Sequence, residues 1–235
     1  MIKAILLDIE GTTTPIDFVH KRLFPFAKEQ VGEFVRKNLD EIQTEVSQLE
    51  REYHRDFLNQ IYGRDFDRHS PESIANYLKF LIEVDRKSTP LKSLQGKVWK
   101  KGYELGELKS EVFEDVPRAF EKWRSEDKLI AIYSSGSILA QKMLFKYTDQ
   151  GDLTPFISEY FDTNIGHKKE SESYRRISQT KGFPPVENLL FVSDVVEELD
   201  AAKKARMQTL LSIREGNVPI KEKTSHRSIH SFDEI

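Results

Sequence analysis

Not one of the 235 residues is cysteine, so disulfide bonds, thiolate metal sites and a thiol nucleophile are all excluded. The chemistry left belongs to oxygen and nitrogen groups, and a thiol-free chain fits a reducing cytoplasm. Long apolar runs are missing as well. The amino-terminal stretch Ile2-Lys3-Ala4-Ile5-Leu6-Leu7 meets Asp8 too early for a secretory segment, and no other stretch approaches the roughly 20 apolar residues of a membrane span. The expectation is a cytoplasmic protein with no membrane partner. Nor is there a charge excess: 36 Lys and Arg against 39 Asp and Glu leave a net charge of -3, which offers no basic face to a nucleic acid. A small anion would have to be met by local positive charge.

What is present is enough apolar content, 38%, to bury a full core. Short apolar runs at 2–7, 129–133, 189–192 and 209–211, with a weaker one at 160–161, read as buried strands. Helix-periodic segments separate them. That alternation predicts an α/β fold, a Rossmann-like parallel sheet with helices on both faces. The gap between the first two runs is far longer than one crossover needs. Within it apolar residues recur at three- and four-residue steps, as in Phe34, Ile42, Val46, Leu49 and Tyr53, and again in Ile74, Tyr77, Leu78, Leu81 and Ile82. We therefore expect an inserted α-helical cap domain over 17–112 and a catalytic α/β core domain formed by 1–16 and 113–235. Ser70-Pro71 reads as a helix start, with Ser70 as N-cap, and 118–124 as the helix before the second strand.

Ligands of open parallel sheets bind beyond the carboxyl ends of the strands. The first end carries Asp8-Ile9-Glu10-Gly11-Thr12-Thr13-Thr14, where Gly11 lets the backbone turn so that both acids can converge. At the second, Tyr133-Ser134-Ser135-Gly136-Ser137 offers hydroxyls and free backbone N–H groups before a helix, an anion site. The third brings Gly166-His167-Lys168-Lys169-Glu170-Ser171, whose lysine could neutralise a phosphate or the acids. The fourth is Val192-Ser193-Asp194, with Glu198 one helical turn on. Asp194 together with Asp8 would give a hard cation an all-oxygen site, which suits Mg²⁺ better than zinc. Read singly, these are ordinary caps and solvated side chains. Read together, they supply the nucleophile, hydroxyl, lysine and metal acid that phosphoryl transfer needs.

The set Asp8, Ser134, Lys168 and Asp194, in that chain order, resembles the haloacid dehalogenase superfamily of phosphatases. Where most of those have a second aspartate, this chain has Glu10. Asp8-Ile9-Glu10-Gly11-Thr12-Thr13-Thr14-Pro15-Ile16 is similar to the enolase-phosphatase (acireductone synthase) family of methionine salvage, as are the Ser134 and Lys168 segments and Arg214-Glu215-Gly216-Asn217. Val196-Glu197 departs from the threonine-arginine pair associated with that family. The resemblance implies a haloacid dehalogenase-like core and a bifunctional, Mg²⁺-dependent phosphomonoester hydrolase. Its substrate would be a small phosphorylated diketone, 2,3-diketo-5-methylthiopentyl 1-phosphate, enolised and then dephosphorylated to the acireductone through an aspartyl-phosphate. It further implies that Asp8, Glu10 and Lys168 are catalytic and that Ser134, Ser135 and Lys168 bind the substrate phosphate. One Mg²⁺ per chain would be held by Asp8, Glu10 and Asp194, in a monomer. The base for enolisation stays open between Glu10 and His167. A phosphatase lacking the enolisation step and a catalytically silent binding module are the competing expectations. Phe18, Phe24, Trp99 and Tyr103 could line the methylthio end, although core packing suits them better.

Overall fold

The structure is a computed structural model that describes residues 1–220 and 224–235. In chain order it contains strand β1 (Ala4–Leu7), then helices α1 (Phe24–Asn38), α2 (Gln43–Leu58), α3 (Pro71–Glu83) and α4 (Thr89–Glu104). Helix α5 (Asp115–Ser125), β2 (Leu129–Tyr133), α6 (Ile138–Lys146), β3 (Glu159–Phe161) and α7 (Ser171–Ser178) follow. The chain ends with β4 (Leu189–Ser193), α8 (Val196–Lys204), β5 (Gln208–Ser212) and β6 (Arg227–Ile229). Two compact units result: Met1–Val19 with Lys109–Ile235, and His20–Leu108.

In the first unit six strands form one sheet in the order β3-β2-β1-β4-β5-β6, every pair parallel. All four residues of β1 are buried because the strand is covered on both faces, which is why it reads as an unbroken apolar run. Alternation divides the strands between the faces. Ala4, Leu6, Ala131, Tyr133, Leu189 and Phe191 pack with Tyr174 and Ile177 of α7 and Leu199 of α8. The intervening residues Ile5, Leu7, Ile130 and Ile132 turn to the other face, where α5 packs against β2 and Phe120, Trp123, Phe145 and Phe232 form an aromatic cluster. The chain runs from β1 outward to β2 and β3, then back to β4 on β1's other side. This reversal makes the carboxyl ends of β1, β2 and β4 the crevice of the sheet.

The expected α/β class and the five apolar strands are all there, and β6 is an addition. Its three residues bury only Ile229, and it pairs only with β5 at the sheet edge, so it leaves no apolar run in the sequence. Helix α5 also starts earlier than expected, at Asp115, because Pro117 falls in the first turn, where its missing N–H is not needed.

The second unit is helical. Val31 and Val35 of α1, Val46, Leu49 and Tyr53 of α2, Ile74, Tyr77, Leu78 and Leu81 of α3 and Leu91 and Leu94 of α4 share one core, with Phe34 and Ile82 partly buried at its margin. Ser70 caps α3, its Oγ accepting from Ser73 N at 3.2 Å. Trp99 is buried, donates Nε1–H to Leu23 O at 2.9 Å and stacks on the half-buried Phe24 with centroids 6.1 Å apart. The breaks fall after Val19 and Leu108 rather than after 16 and 112. Among the described residues no helix is long and apolar enough to cross a membrane.

Candidate active site

The segment after β1 is wound into a tight turn. Ile9 O accepts from Thr12, Thr13 and Thr14 N at 3.2, 3.0 and 2.9 Å, and Thr13 Oγ1 donates to Asp8 O at 3.1 Å. Gly11 carries the turn with φ +65°, a conformation L residues rarely adopt. It is also crowded: a Cβ there would stand 2.5 Å from Asp194 Oδ2 and 2.7 Å from Asn217 Oδ1. Its carbonyl accepts from Ser212 Oγ at 3.1 Å and Asn217 Nδ2 at 3.0 Å. The loop after β5 thus grips the loop after β1.

Asp8 is 6% exposed. Its Oδ1 accepts from Ile9 N at 2.7 Å and lies 2.7 Å from Lys168 Nζ, while Ser193 Oγ stands 3.1 Å from Oδ2. Lys168, equally buried, reaches a second carboxylate, Glu198 Oε2, at 2.7 Å. Ser193 Oγ is 3.1 Å from that same Oε2, so one hydroxyl bridges the two acids and can donate to either. Burial works to lower the Lys168 ammonium's pKa, but the charges of Asp8 and Glu198 outweigh it and hold the lysine above its ordinary value. Glu198 is pushed up, first by burial and then by the charge of Asp8. The same two causes push Asp194 up to about 7.

The lysine is positioned from behind. Tyr174 Oη donates to Lys168 O at 2.6 Å, and Tyr133 Oη to Gly166 O at 2.8 Å. Gly166 has φ +141°, and a Cβ there would meet Ser173 Oγ at 2.2 Å, so the turn before Lys168 requires glycine. Ser134 is buried at the end of β2, its N–H donating to Phe161 O and its Oγ accepting from Gly136 N, each at 3.2 Å. Ser135 is exposed and Glu10 half-buried, with Glu10 bridged to Thr14. His167 is exposed, and its carbonyl accepts from Ser173 Oγ at 2.7 Å. Sequence reasoning brought Asp8, Lys168 and Asp194 to one crevice, but gave Ser193 and Asn217 no role and did not name Ser212. Ser193 had a signal, since it directly precedes a strand-end aspartate.

Do these residues suit a divalent cation? Among the described residues no three His, Cys, Asp or Glu side chains converge as a ready metal cluster. Asp8 and Asp194 are two carboxylates of the crevice close enough for the charge of one to act on the other. Burial and then the charge of Asp8 raise the Asp194 pKa, against the smaller opposing pull of the Lys168 charge. Two mutually repelling carboxylates fit Mg²⁺, which is bound by one or two carboxylates and keeps several waters.

Residues 2–206 match the family described as haloacid dehalogenase-like hydrolase. Enolase-phosphatase E1 of Leptospira borgpetersenii serovar Hardjo-bovis is 50% identical over 228 residues, covering 97% of this chain and 96% of that one. Enolase-phosphatase E1 of Synechococcus elongatus is 46% identical over 236 residues, covering 100% and 98%. The crystal structure of the UTR4 protein from Saccharomyces cerevisiae superimposes with a TM-score of 0.78 at 32% identity, covering 100% of both chains. The family match over residues 2–206 and identities of 46–50% over nearly the full length place the chain, with its acidic crevice and buried lysine, in the haloacid dehalogenase-like hydrolases, within the enolase-phosphatase E1 family.

Proposed function

We propose that this chain first enolises a small phosphorylated diketone, 2,3-diketo-5-methylthiopentyl 1-phosphate, and then removes its phosphate to give the acireductone. The observation that carries this reading is the buried Asp8–Lys168 pair, 2.7 Å apart at the reversal of the sheet, with Glu10 two residues on. An oxygen of Asp8 attacks phosphorus, the ester P–O bond breaks, and the leaving oxygen takes its proton from Glu10. Water then attacks the aspartyl-phosphate, gives its proton to Glu10, and frees phosphate and Asp8. Ser134 and the Ser135 backbone N–H hold the phosphoryl oxygens, and Lys168 offsets their charge.

Asp8, Asp194 and the Glu10 carbonyl are the residues that would hold one Mg²⁺ per chain. When bound, the ion neutralises charge developing on the phosphoryl group. For the carbon-bound proton of the enolisation step we assign Glu10, because it is half-buried beside the nucleophile whereas His167 is exposed on its loop. The helical unit is the proposed cap. The protein is proposed to act as a monomer in the cytoplasm.

The deciding experiment incubates the purified chain with the diketone phosphate and Mg²⁺ while recording ultraviolet absorbance and free phosphate together. Absorbance should rise before phosphate appears, EDTA should stop both steps, and Asp8→Asn should abolish phosphate release while leaving the fold intact. Equal release from many unrelated phosphate esters, with no preceding absorbance change, would point instead to a phosphatase without the enolisation step. Metal and phosphate binding without turnover would point to a binding module.

A further inference from the structure

Asn217 lies in a polar loop five residues beyond the end of β5, yet its amide is tied into the crevice. Nδ2 donates to Gly11 O at 3.0 Å and to Ser212 O at 3.2 Å. Both partners are carbonyls and can only accept, so the amide orientation is fixed: the nitrogen faces them and the oxygen points away. That oxygen is buried, and none of the described residues donates to it. It also flanks Gly11 on the same side as Asp194 Oδ2, since both oxygens fall within 2.7 Å of the point a Gly11 Cβ would occupy. Two acceptors thus face one small region, and a buried acceptor left without a donor is costly. A divalent cation that retains waters puts strong donors at such a place, because its waters point their hydrogens outward.

We propose that Asn217 Oδ1 accepts a hydrogen bond from a water in the hydration shell of the Mg²⁺ held by Asp8 and Asp194, which makes Asn217 a positioning residue of the metal site. The inference rests on the reading that those two aspartates hold Mg²⁺. It gives Asn217 two tasks, one for each end of its amide: Nδ2 fixes the loop that carries Glu10, and Oδ1 orients the ion's hydration shell. Loss of such an outer partner typically weakens metal binding by about 10–100-fold.

The test is calorimetric titration of the substrate-free full chain with MgCl₂, so that no turnover enters the measurement. Wild type should bind, Asp194→Asn should lose binding, and Asn217→Ala should bind roughly 10–100-fold more weakly. Ser212→Ala removes the other donor to Gly11 O and leaves the acceptor in place, so it should bind nearly as wild type does. If wild type does not bind, or Asp194→Asn binds equally well, the metal assignment itself fails. If those two behave as expected but Asn217→Ala binds like wild type, the proposal alone is overturned. Equal weakening in Asn217→Ala and Ser212→Ala also overturns it, leaving only the grip on Gly11. Circular dichroism of each metal-free variant reports folding. Should Asn217→Ala not fold, Asn217→Asp keeps an acceptor oxygen while losing the donor: retained affinity supports the proposal, and loss to the level of Asp194→Asn overturns it.

Discussion

Gly11→Ala separates backbone strain from damage to the site, because the structure supplies a matched control. Gly11 has φ +65° and Gly106 has φ +72°, so alanine at either position suffers the same left-handed strain, about 1–2 kcal/mol. In a chain of this length each kcal/mol lowers the melting temperature by roughly 2–4 °C, and both variants should melt several degrees early. Their surroundings differ. Nothing lies within 4 Å of a Cβ at position 106. At position 11 the Cβ would stand 2.5 Å from Asp194 Oδ2, and since ordinary contact begins at 3.4 Å, the carboxylate must retreat by about 0.9 Å. Asn217 Oδ1, at 2.7 Å, crowds the same point. A displacement of ~1 Å in a catalytic constellation can cost on the order of 10²-fold in rate. Phosphate release and thermal melting of both purified variants make the comparison. Gly106→Ala should lose stability alone, and Gly11→Ala stability and turnover together. If Gly11→Ala turns over as fast as Gly106→Ala, Asp194 and Asn217 do not flank the turn as described.

Lys168→Met should abolish turnover and also destabilise the fold by roughly 3–5 kcal/mol, because Asp8 and Glu198 stay buried without their shared cation. Adding Glu198→Gln should restore part of the melting temperature and none of the activity; no stability change in Lys168→Met would refute the shared pair. Arg214 bonds to Asp115 Oδ2 and His230 O, both at 2.8 Å, and lies between the rings of Phe113 and Phe232, so Arg214→Met should cost about 3–5 kcal/mol in urea unfolding. Arg214→Lys should recover only part of this, since an ammonium reproduces neither the fork nor the stacking; full recovery would mean that charge alone matters. In the helical unit, burial works to raise the Glu45 carboxyl, but hydrogen bonds from Lys97 and Ser93 outweigh it and hold its pKa below the ordinary 4.5. That stabilisation is complete above pH 4.5 and is lost as pH falls through the folded value. Between pH 4.5 and that folded value wild type should therefore lose stability more steeply than Glu45→Gln, and parallel acid titrations followed by circular dichroism would contradict the coupling.

The sheet was legible wherever burial on both faces forces an unbroken apolar run. β1, β2 and β4 announce themselves in this way, and their ends mark the site. β6 does not, because an edge strand with Ile229 as its one buried residue carries no such pattern. In the site, the residues that immediately follow strands were recognisable in kind, since the sheet dictates where they emerge. Lys168, on the loop after β3, was recognisable through its motif, but the inward turn of Glu198 and Asn217 was not. Whether Glu198 faces inward depends on the pitch of α8, and inward is where it meets Lys168 at 2.7 Å. Asn217 sits in a polar stretch, Arg214-Glu215-Gly216-Asn217, that composition alone would leave in solvent. Its place is set by how that loop returns, and Arg214 anchors the return on Asp115 at 2.8 Å.

The same network constrains which group can move protons. Lys168 is held above its ordinary 10.5 by the charges of Asp8 and Glu198, so it stays an ammonium throughout the neutral range. A group that never gives up its proton there cannot alternate between acid and base, and its contribution must be electrostatic. The arriving phosphoryl group adds further negative charge beside Asp8, which binds that proton more tightly still. Ser193, the hydroxyl bridging Asp8 and Glu198, ordinarily ionises too high to serve as a base. In the reading proposed above, Asp8 is committed as nucleophile and Asp194 to the cation. Proton transfer to the leaving oxygen and from the attacking water then falls to a carboxyl outside the lysine's ion pairs, close to the nucleophile but free of its covalent role. That reading gives the task to Glu10, two residues along and half-buried, and assigns it the second proton, the one on carbon, as well.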